Sequence, residues 1–208
     1  MRVGAGRGSS APREGVRVKP QPRPPDPVPE PGRARTSLIV STLCFCGTAT
    51  ALQQTLVVPL LPSLPRLLDT SADTASWLVT ATLLTGAVAT PIVSRLADMF
   101  GKRLLMTLCL AVMVAGSLLG ALSHSLIPAV AARAMQGVGV ALVPVAIAVM
   151  RDELPPRRVP LGVGLMSATL AIGAGAGLPL SGLVTQFFDW HAIFWVTAAA
   201  GAVMLVAV

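Results

Sequence analysis

Tyrosine is absent from this chain of 208 residues, and aromatic residues make up only 4% of it. Charged residues make up 12%, about half the share in an average soluble domain. Histidine occurs twice, and the acidic residues lie in the segments between long apolar runs. Because no nucleophile, base or metal cluster can be assembled from these residues, we predict that the chain is not an enzyme and carries no cofactor.

Cysteine is also scarce, with Cys44, Cys46 and Cys109 as the three examples. All three fall in apolar segments, and none has a histidine or an acid at the spacing of a metal site. We therefore interpret them as small thiols buried between helices.

Uncharged sequence is abundant. Apolar residues make up 53% of the chain, and runs without a charge cover residues 36–65, 74–94, 104–132, 134–150, 159–188 and 192–208. Each run is close to or above the ~20 residues with which a helix crosses a bilayer. A helix satisfies its own backbone hydrogen bonds in hydrocarbon, and the runs lack the alternation of a barrel strand. The sequence therefore predicts an all-α polytopic membrane protein.

These runs place six membrane spans, numbered 1 to 6, at residues 38–61, 74–94, 104–122, 128–150, 161–184 and 192–208. Span 6 reaches the last residue without a basic residue after it. We therefore expect a six-helix transmembrane domain over residues 37–208 that is truncated in its sixth helix.

The net charge of +7 is unevenly distributed. Eight of the sixteen Lys and Arg residues lie in the first 35 residues, three follow span 2 and three follow span 4. Only Arg66 lies on the other side, and Arg133 lies inside span 4. Because cytoplasmic loops collect Lys and Arg, we predict a cytoplasmic amino terminus and two cytoplasmic basic loops. The basic charge thus indicates membrane topology, and no nucleic acid is expected as a partner.

Residues 1–36 are rich in Pro, Arg and Gly and contain almost no large apolar side chains. Such a segment cannot bury enough surface to fold, so it is predicted to be a disordered cytoplasmic tail. A polybasic arm that binds anionic lipids is the alternative.

The segment between spans 2 and 3, residues 94–103, packs four charges and a glycine into ten residues. It resembles the charged loop between the second and third helices of the major facilitator superfamily, although Ser94 and Met99 stand where that family usually has glycine and arginine. The resemblance implies a gating role for Asp98, Gly101, Lys102 and Arg103. A turn that only orients the spans explains the basic residues equally well, but it gives no reason for the acid.

Arg133 is the only permanently charged side chain inside a predicted span, at a cost of at least about 3 kcal/mol. Gln136 lies three residues on, on the same helical face. The stretch from Arg133 to Ala141 resembles the fourth-helix motif of drug-proton antiporters, which implies that Arg133 and Gln136 couple proton and substrate movement. The alternative is that the arginine reaches out to the membrane interface.

Span 5 concentrates small residues and a proline between residues 173 and 182. This stretch resembles the fifth-helix motif of the antiporters, which implies export and a flexing role for Gly173, Gly177 and Pro179. Glycine-mediated helix packing is the alternative reading of the same residues.

Span 1 contains Gln53, Gln54 and Thr55 where the fourteen-helix drug-proton antiporters carry a leucine-aspartate-x-threonine motif. The resemblance implies that these residues line the substrate cavity; hydrogen bonds between helices are the alternative. Gln53 replaces the aspartate, and an amide cannot exchange a proton as a carboxylate does. Since none of the predicted spans contains Asp or Glu, a proton relay would need acids outside this chain.

Together, the four stretches resemble the amino-terminal half of a major facilitator superfamily transporter of the drug-proton antiporter branch. The resemblance implies proton-coupled efflux of drugs or amphiphilic metabolites across the cell (cytoplasmic) membrane. The implied partners are the lipid bilayer, a small amphiphilic substrate, protons and the missing carboxy-terminal half. Two alternatives remain open: a half-transporter without transport activity of its own, and an uptake carrier.

Overall fold

The structure, a computed structural model, describes residues 33–67 and 69–208, and every regular element in this part of the chain is helical. The helices of twelve or more residues run, in order, over Arg33–Leu56, Trp77–Phe100, Lys102–Ala121, Leu126–Gly137, Leu142–Glu153, Val159–Phe187 and His191–Ala207. The all-α prediction is confirmed. Residues 1–32, which hold most of the predicted tail, lie outside the described residues, and the first helix begins three residues before the predicted tail ends.

Five helical segments are long and apolar enough to cross a membrane, judged by length and composition. They run over Thr36–Leu60, Ala72–Phe100, Lys102–Ala121, Leu126–Glu153 and Val159–Val184, and they correspond to spans 1 to 5. Span 6 is the shorter apolar helix His191–Ala207. Residues 95–100, which include the charged Arg95 and Asp98, were expected in a turn. They continue the helix of span 2 instead, so that Gly101 alone separates this helix from that of span 3.

Span 4 is two α-helices joined by the 3-10 turn Val138–Ala141. Pro144 explains the position of this turn, because its ring has no N–H and crowds the carbonyl of residue 140 in a regular helix. Span 1 ends similarly in the 3-10 turn Val58–Leu60, with Pro59 inside it. Short helices at Leu64–Leu67 and Ala72–Ala75 then lead to span 2.

The connections define two ends of the bundle. We call the end that holds the 2–3 and 4–5 connections the basic end, because it carries Arg95, Lys102, Arg103, Arg151, Arg157 and Arg158. The opposite end holds the 1–2, 3–4 and 5–6 connections. Within the bundle, span 1 packs chiefly against span 5, span 2 against span 4, and span 3 against spans 4 and 6.

Two apolar clusters fill the interior. One lies toward the basic end and includes Met106, Leu110 and Val145, and the other lies toward the opposite end and includes Leu56, Leu78 and Phe194. Buried polar side chains from spans 1, 2, 3, 4 and 6 lie between the two clusters, at Gln53, Thr82, Ser117, Arg133, Gln136 and Thr197. We call this set the polar layer. Large apolar side chains cover the outer faces of the spans, as expected for contact with lipid.

Candidate functional site

Arg133 forms the centre of the polar layer. Its side chain is only 1% exposed, so it does not reach the membrane interface. Its Nη1 donates to Gln136 Oε1 at 2.8 Å, and its Nε donates to the carbonyl oxygen of Leu78 at 3.4 Å. The 3.6-residue period of the helix places Gln136 beside Arg133, as the sequence predicts. The guanidinium is thus held from its own helix and from span 2.

Gln136 carries the contact onward to spans 3 and 6. Its Nε2 donates to Ser117 Oγ at 2.8 Å and lies 3.4 Å from Thr197 Oγ1. Thr197 Oγ1 in turn lies 3.2 Å from Ser117 Oγ. The amide therefore bridges the cation of Arg133 and two buried hydroxyls, and its orientation is fixed because only its oxygen can accept from the guanidinium.

Side chains of spans 1 and 2 join the polar layer by hydrogen bonds to backbone carbonyl oxygens of span 4. Gln53 Nε2 donates to the Gln136 carbonyl oxygen at 3.3 Å, and Thr82 Oγ1 donates to the Arg133 carbonyl oxygen at 3.1 Å. Gln53 is 2% exposed, and its Oε1 has no hydrogen-bond partner in the described part of the chain. This oxygen is a buried acceptor that is available to a donor.

The charge of the polar layer is uncompensated. Arg133 makes no ion pair with any residue in the ranges 33–67 and 69–208, and the acids of these ranges lie at or beyond the ends of the spans. A buried cation without a counter-charge is costly, so the hydrogen bonds that Arg133 donates to Gln136 and Leu78 are needed to hold it. Such a site responds strongly to any nearby anion or change in charge.

The other two predicted cavity residues point elsewhere. Thr55 Oγ1 lies close to two carbonyl oxygens of its own helix, at 3.1 and 3.2 Å, and it faces Gly177 of span 5. Gln54 is half-buried, on a different face from Gln53. The structure thus brings Gln53 to the backbone of Gln136, but it places Thr55 at the contact between spans 1 and 5.

At the basic end, Gly101 makes the turn between spans 2 and 3 with φ +102, a backbone conformation that favours glycine. The next residue, Lys102, forms an ion pair with Asp152 at the end of span 4, and its Nζ lies 3.4 Å from the Ala148 carbonyl oxygen. Asp98 is exposed and has no partner among the residues that the structure describes. Asp152 was not predicted as a site residue, because it lies between Arg151 and Glu153 and the sequence does not show that it meets Lys102, fifty residues earlier.

Two cavities open at this end. One, of about 680 Å³, is lined by residues that include Asp98, Lys102 and Asp152. The other, of about 340 Å³, lies between Arg103, Glu153 and apolar residues of span 1. The four predicted gating residues therefore surround or adjoin open space rather than packed core.

Spans 1 and 5 meet along a seam of small residues. A side chain at Gly173 would collide with the backbone of Thr48, and one at Gly177 would collide with the side chain of Thr55. Farther along, Ser181 Oγ donates to the Leu56 carbonyl oxygen at 2.6 Å. Pro179 is exposed within a helix that remains continuous from Val159 to Phe187. The two glycines thus serve a close helix contact.

With this geometry established, comparison with known proteins identifies the family. The profile of the Major Facilitator Superfamily matches residues 43–208. The chain belongs to the major facilitator superfamily. It is a multi-pass membrane protein of this family of transporters, as the sequence motifs indicate.

Several curated relatives are similar to the chain. An uncharacterised MFS-type transporter of Bacillus subtilis, YvkA, is 32% identical over 174 residues, which is 83% of this chain and 39% of that protein. An MFS-type transporter of Aspergillus terreus is 31% identical over 160 residues, 76% of this chain and 29% of that one. The tetracenomycin C resistance and export protein of Streptomyces glaucescens is 29% identical, again over 76% of this chain and 29% of that protein.

A solved structure agrees in fold. The human organic anion transporter MFSD10 superimposes with a TM-score of 0.67 at 18% identity, covering 83% of this chain and 46% of that chain. The chain therefore spans about half the length of that transporter, and between 25% and 39% of the curated relatives.

Proposed function

We propose that the chain forms the amino-terminal half of a secondary active transporter that exports drugs or amphiphilic metabolites from the cell in exchange for protons. The observation that carries the proposal is the buried, uncompensated Arg133 held by Gln136 inside an otherwise apolar bundle. A membrane protein retains such a costly group where it serves substrate or ion movement. The similarity to the tetracenomycin C resistance and export protein supports export.

In the proposed location, the six spans lie in the cytoplasmic membrane of the cell. In the proposed orientation, the basic end faces the cytoplasm. The chain before the first helix then lies on the cytoplasmic side, and residues 37–208 form the transmembrane domain. The distribution of Lys and Arg supports this orientation, because basic residues are retained on the cytoplasmic side.

Each group of residues has a proposed role. Asp98, Gly101, Lys102 and Arg103 gate the transporter at the basic end, where Asp98 is free to bind the carboxy-terminal half in one of its conformations. Arg133 and Gln136 couple proton and substrate movement. In span 5, Gly173, Gly177 and Pro179 let the helix flex against span 1. In span 1, the residues proposed to contact the substrate are Gln53, Gln54 and Thr55.

Proton coupling needs groups that bind and release protons, and the polar layer has no carboxylate. We propose that these acids lie in the carboxy-terminal half that completes the transporter. Proton binding there would change the field at Arg133, and the bridge through Gln136, Ser117 and Thr197 would pass the change to spans 3 and 6. The two halves would then rock about a site near the membrane midplane.

The test is movement of an amphiphilic fluorescent dye from the medium into everted membrane vesicles that contain the complete gene product, because export from the cell becomes accumulation in the lumen of such vesicles. We expect dye movement that stops when a protonophore collapses the proton gradient, and that Arg133→Ala abolishes without loss of membrane insertion. Arg66→Ala is the matched control, because Arg66 is an exposed arginine in the 1–2 connection. Unchanged efflux in Arg133→Ala would refute the coupling role. Dye movement in the opposite direction would favour an uptake carrier, and none at all would favour a half without transport activity.

A further inference from the structure

The two histidines of the chain lie close together at the end of the bundle opposite the basic end. His124 lies in the 3–4 connection, and His191 is the first residue of the span 6 helix. Their ring centroids are 5.4 Å apart, and the rings are tilted by 58°. Folding thus brings together the only two imidazoles in the sequence.

The protonation of His191 follows from its partner. His191 Nε2 lies 2.7 Å from the carbonyl oxygen of Ser123, which can only accept a hydrogen bond. The ring therefore donates from Nε2, and its neutral form carries the free lone pair on Nδ1. Metal-ligating histidines commonly donate one ring N–H to a carbonyl oxygen and bind the metal through the other nitrogen, and His191 has this arrangement.

We propose that His124 and His191 form a binding site for a divalent transition metal of the zinc, nickel and copper class. Imidazole nitrogens prefer these metals over magnesium or calcium. A metal bound at about 2.1 Å to one nitrogen of each ring, with a tetrahedral angle between them, places the ring centroids about 5 Å apart. The observed separation of 5.4 Å fits this arrangement.

The surroundings leave the site open to the solvent. His124 is exposed and His191 is partly exposed. No group of three or more potential metal-ligating residues occurs within residues 33–67 and 69–208, so water completes the coordination. Binding ties the 3–4 connection to the start of span 6, and it does not depend on the proposed transport function.

Trp190 provides a direct readout of the site. Its ring centroid lies 4.0 Å from that of His191, so a paramagnetic ion at His191 quenches its fluorescence. Ni²⁺ is the suitable probe, because it prefers imidazole and does not oxidise the buried thiols of the chain. Replacement of Trp77 and Trp195 by Phe leaves Trp190 as the single emitter.

The experiment is titration of the purified chain, prepared without a histidine tag, with Ni²⁺ while Trp190 fluorescence is recorded. We expect saturable quenching with one ion per chain, reversal by EDTA, competition by Zn²⁺, and weaker binding in acid because a protonated imidazole cannot bind a metal. Loss of a group that only hydrogen-bonds to a ligating histidine costs about 10- to 100-fold in metal affinity, so His124→Asn, which removes a ligand itself, raises the Kd by at least about tenfold.

Ser125→Ala is the matched control, since Ser125 is an exposed neighbour of His124 whose side chain does not cap the next helix. It leaves the Kd unchanged. Equal quenching of the parent and His124→Asn would overturn the proposal, as would a stoichiometry well above one. Equilibrium dialysis of Zn²⁺ against the chain with all its tryptophans gives the same comparison independently of the Trp replacements. Absence of stoichiometric, His124-dependent Zn²⁺ retention would also overturn the proposal.

Discussion

A methyl group on Gly177 would collide with the side chain of Thr55, so spans 1 and 5 can approach as they do only because residue 177 has no side chain. Gly175, two residues earlier on the same helix, is exposed, and a Cβ there meets nothing within 4 Å. The two positions therefore offer the same chemical change in opposite surroundings.

We predict that Gly177→Ala destabilises the bundle by about 1–3 kcal/mol, the usual cost of adding a methyl group to a packed contact. Gly175→Ala instead stabilises the helix by about 0.5–1 kcal/mol, because its Cβ faces open space and alanine loses less conformational entropy than glycine in a helix. Thermal unfolding of the purified chain in detergent, followed by circular dichroism, measures both. Equal melting temperatures for the two variants would show that spans 1 and 5 do not meet at this seam.

The side chain of Gln136 joins three other side chains of the polar layer, those of Arg133, Ser117 and Thr197. Gln136→Leu removes the acceptor of Arg133 Nη1 and the donor to Ser117, and each unsatisfied buried group costs about 1–3 kcal/mol. Ser117→Ala costs about 1 kcal/mol, since Gln136 Nε2 keeps Thr197 as an alternative partner at 3.4 Å. We therefore expect Gln136→Leu to lower the melting temperature more than Ser117→Ala.

Thr107→Ala is the control for this pair. Thr107 lies on the same helix as Ser117, but it is exposed and bonds only to a carbonyl oxygen of its own helix. Its replacement leaves the melting temperature close to that of the parent. A Gln136→Leu variant as stable as Thr107→Ala would mean that the amide does not hold the guanidinium.

The ion pair between Lys102 and Asp152 ties the start of span 3 to the end of span 4. Asp152 is largely exposed, so the pair adds only about 0–1 kcal/mol to stability. We predict that Lys102→Glu lowers efflux by the complete transporter several-fold, because it places two like charges together where the ion pair was. The melting temperature changes little, because the pair adds little to stability. The double variant Lys102→Glu with Asp152→Lys restores efflux.

Arg151→Glu makes the same change of charge one residue from Asp152, without touching the pair. Efflux in this control stays near the parent level. If the double variant transports no better than Lys102→Glu alone, the ion pair has no gating role, and efflux depends on the positive charge of Lys102 itself.

The six spans could be predicted because the bilayer imposes a length and an apolar composition that a sequence displays directly. The end of span 2 could not, because hydropathy marks where charge begins and not where a helix ends. Arg95 and Asp98 therefore looked like loop residues, although the helix continues to Phe100. Gly101, with its positive φ, is the local signal that places the turn.

The polar layer divides in the same way. Arg133 and Gln136 could be paired from their spacing on one helix, which is a local property. Ser117 and Thr197 could not be added, because hydroxyls in apolar helices commonly bond to a carbonyl oxygen of their own helix, as both of these also do. Only the packing of span 3 against spans 4 and 6 turns them toward Gln136. The contact of Gln53 with the Gln136 backbone could not be predicted either, because it depends on how spans 1 and 4 pack. The cavity role of Gln53 remains a prediction.

The orientation of the bundle can be tested with single cysteines. Met99→Cys places a thiol at the basic end, where Met99 is 73% exposed, and Ser63→Cys places one in the exposed 1–2 connection. Cys44, Cys46 and Cys109 are all buried, so they add little background. In intact cells we expect a membrane-impermeant maleimide to label the cysteine at 63 and to label the one at 99 only after permeabilisation.

The reverse pattern would place the basic end outside the cell, contrary to the retention of Lys and Arg in the cytoplasm. Asp98 and Lys102 would then face the outer solution, and the proposed gating residues would lie at the outer end of the transporter. Labelling of both cysteines in intact cells would instead indicate two orientations of the same chain. Because the result depends only on the side of each thiol, it decides the orientation even for a chain that transports nothing.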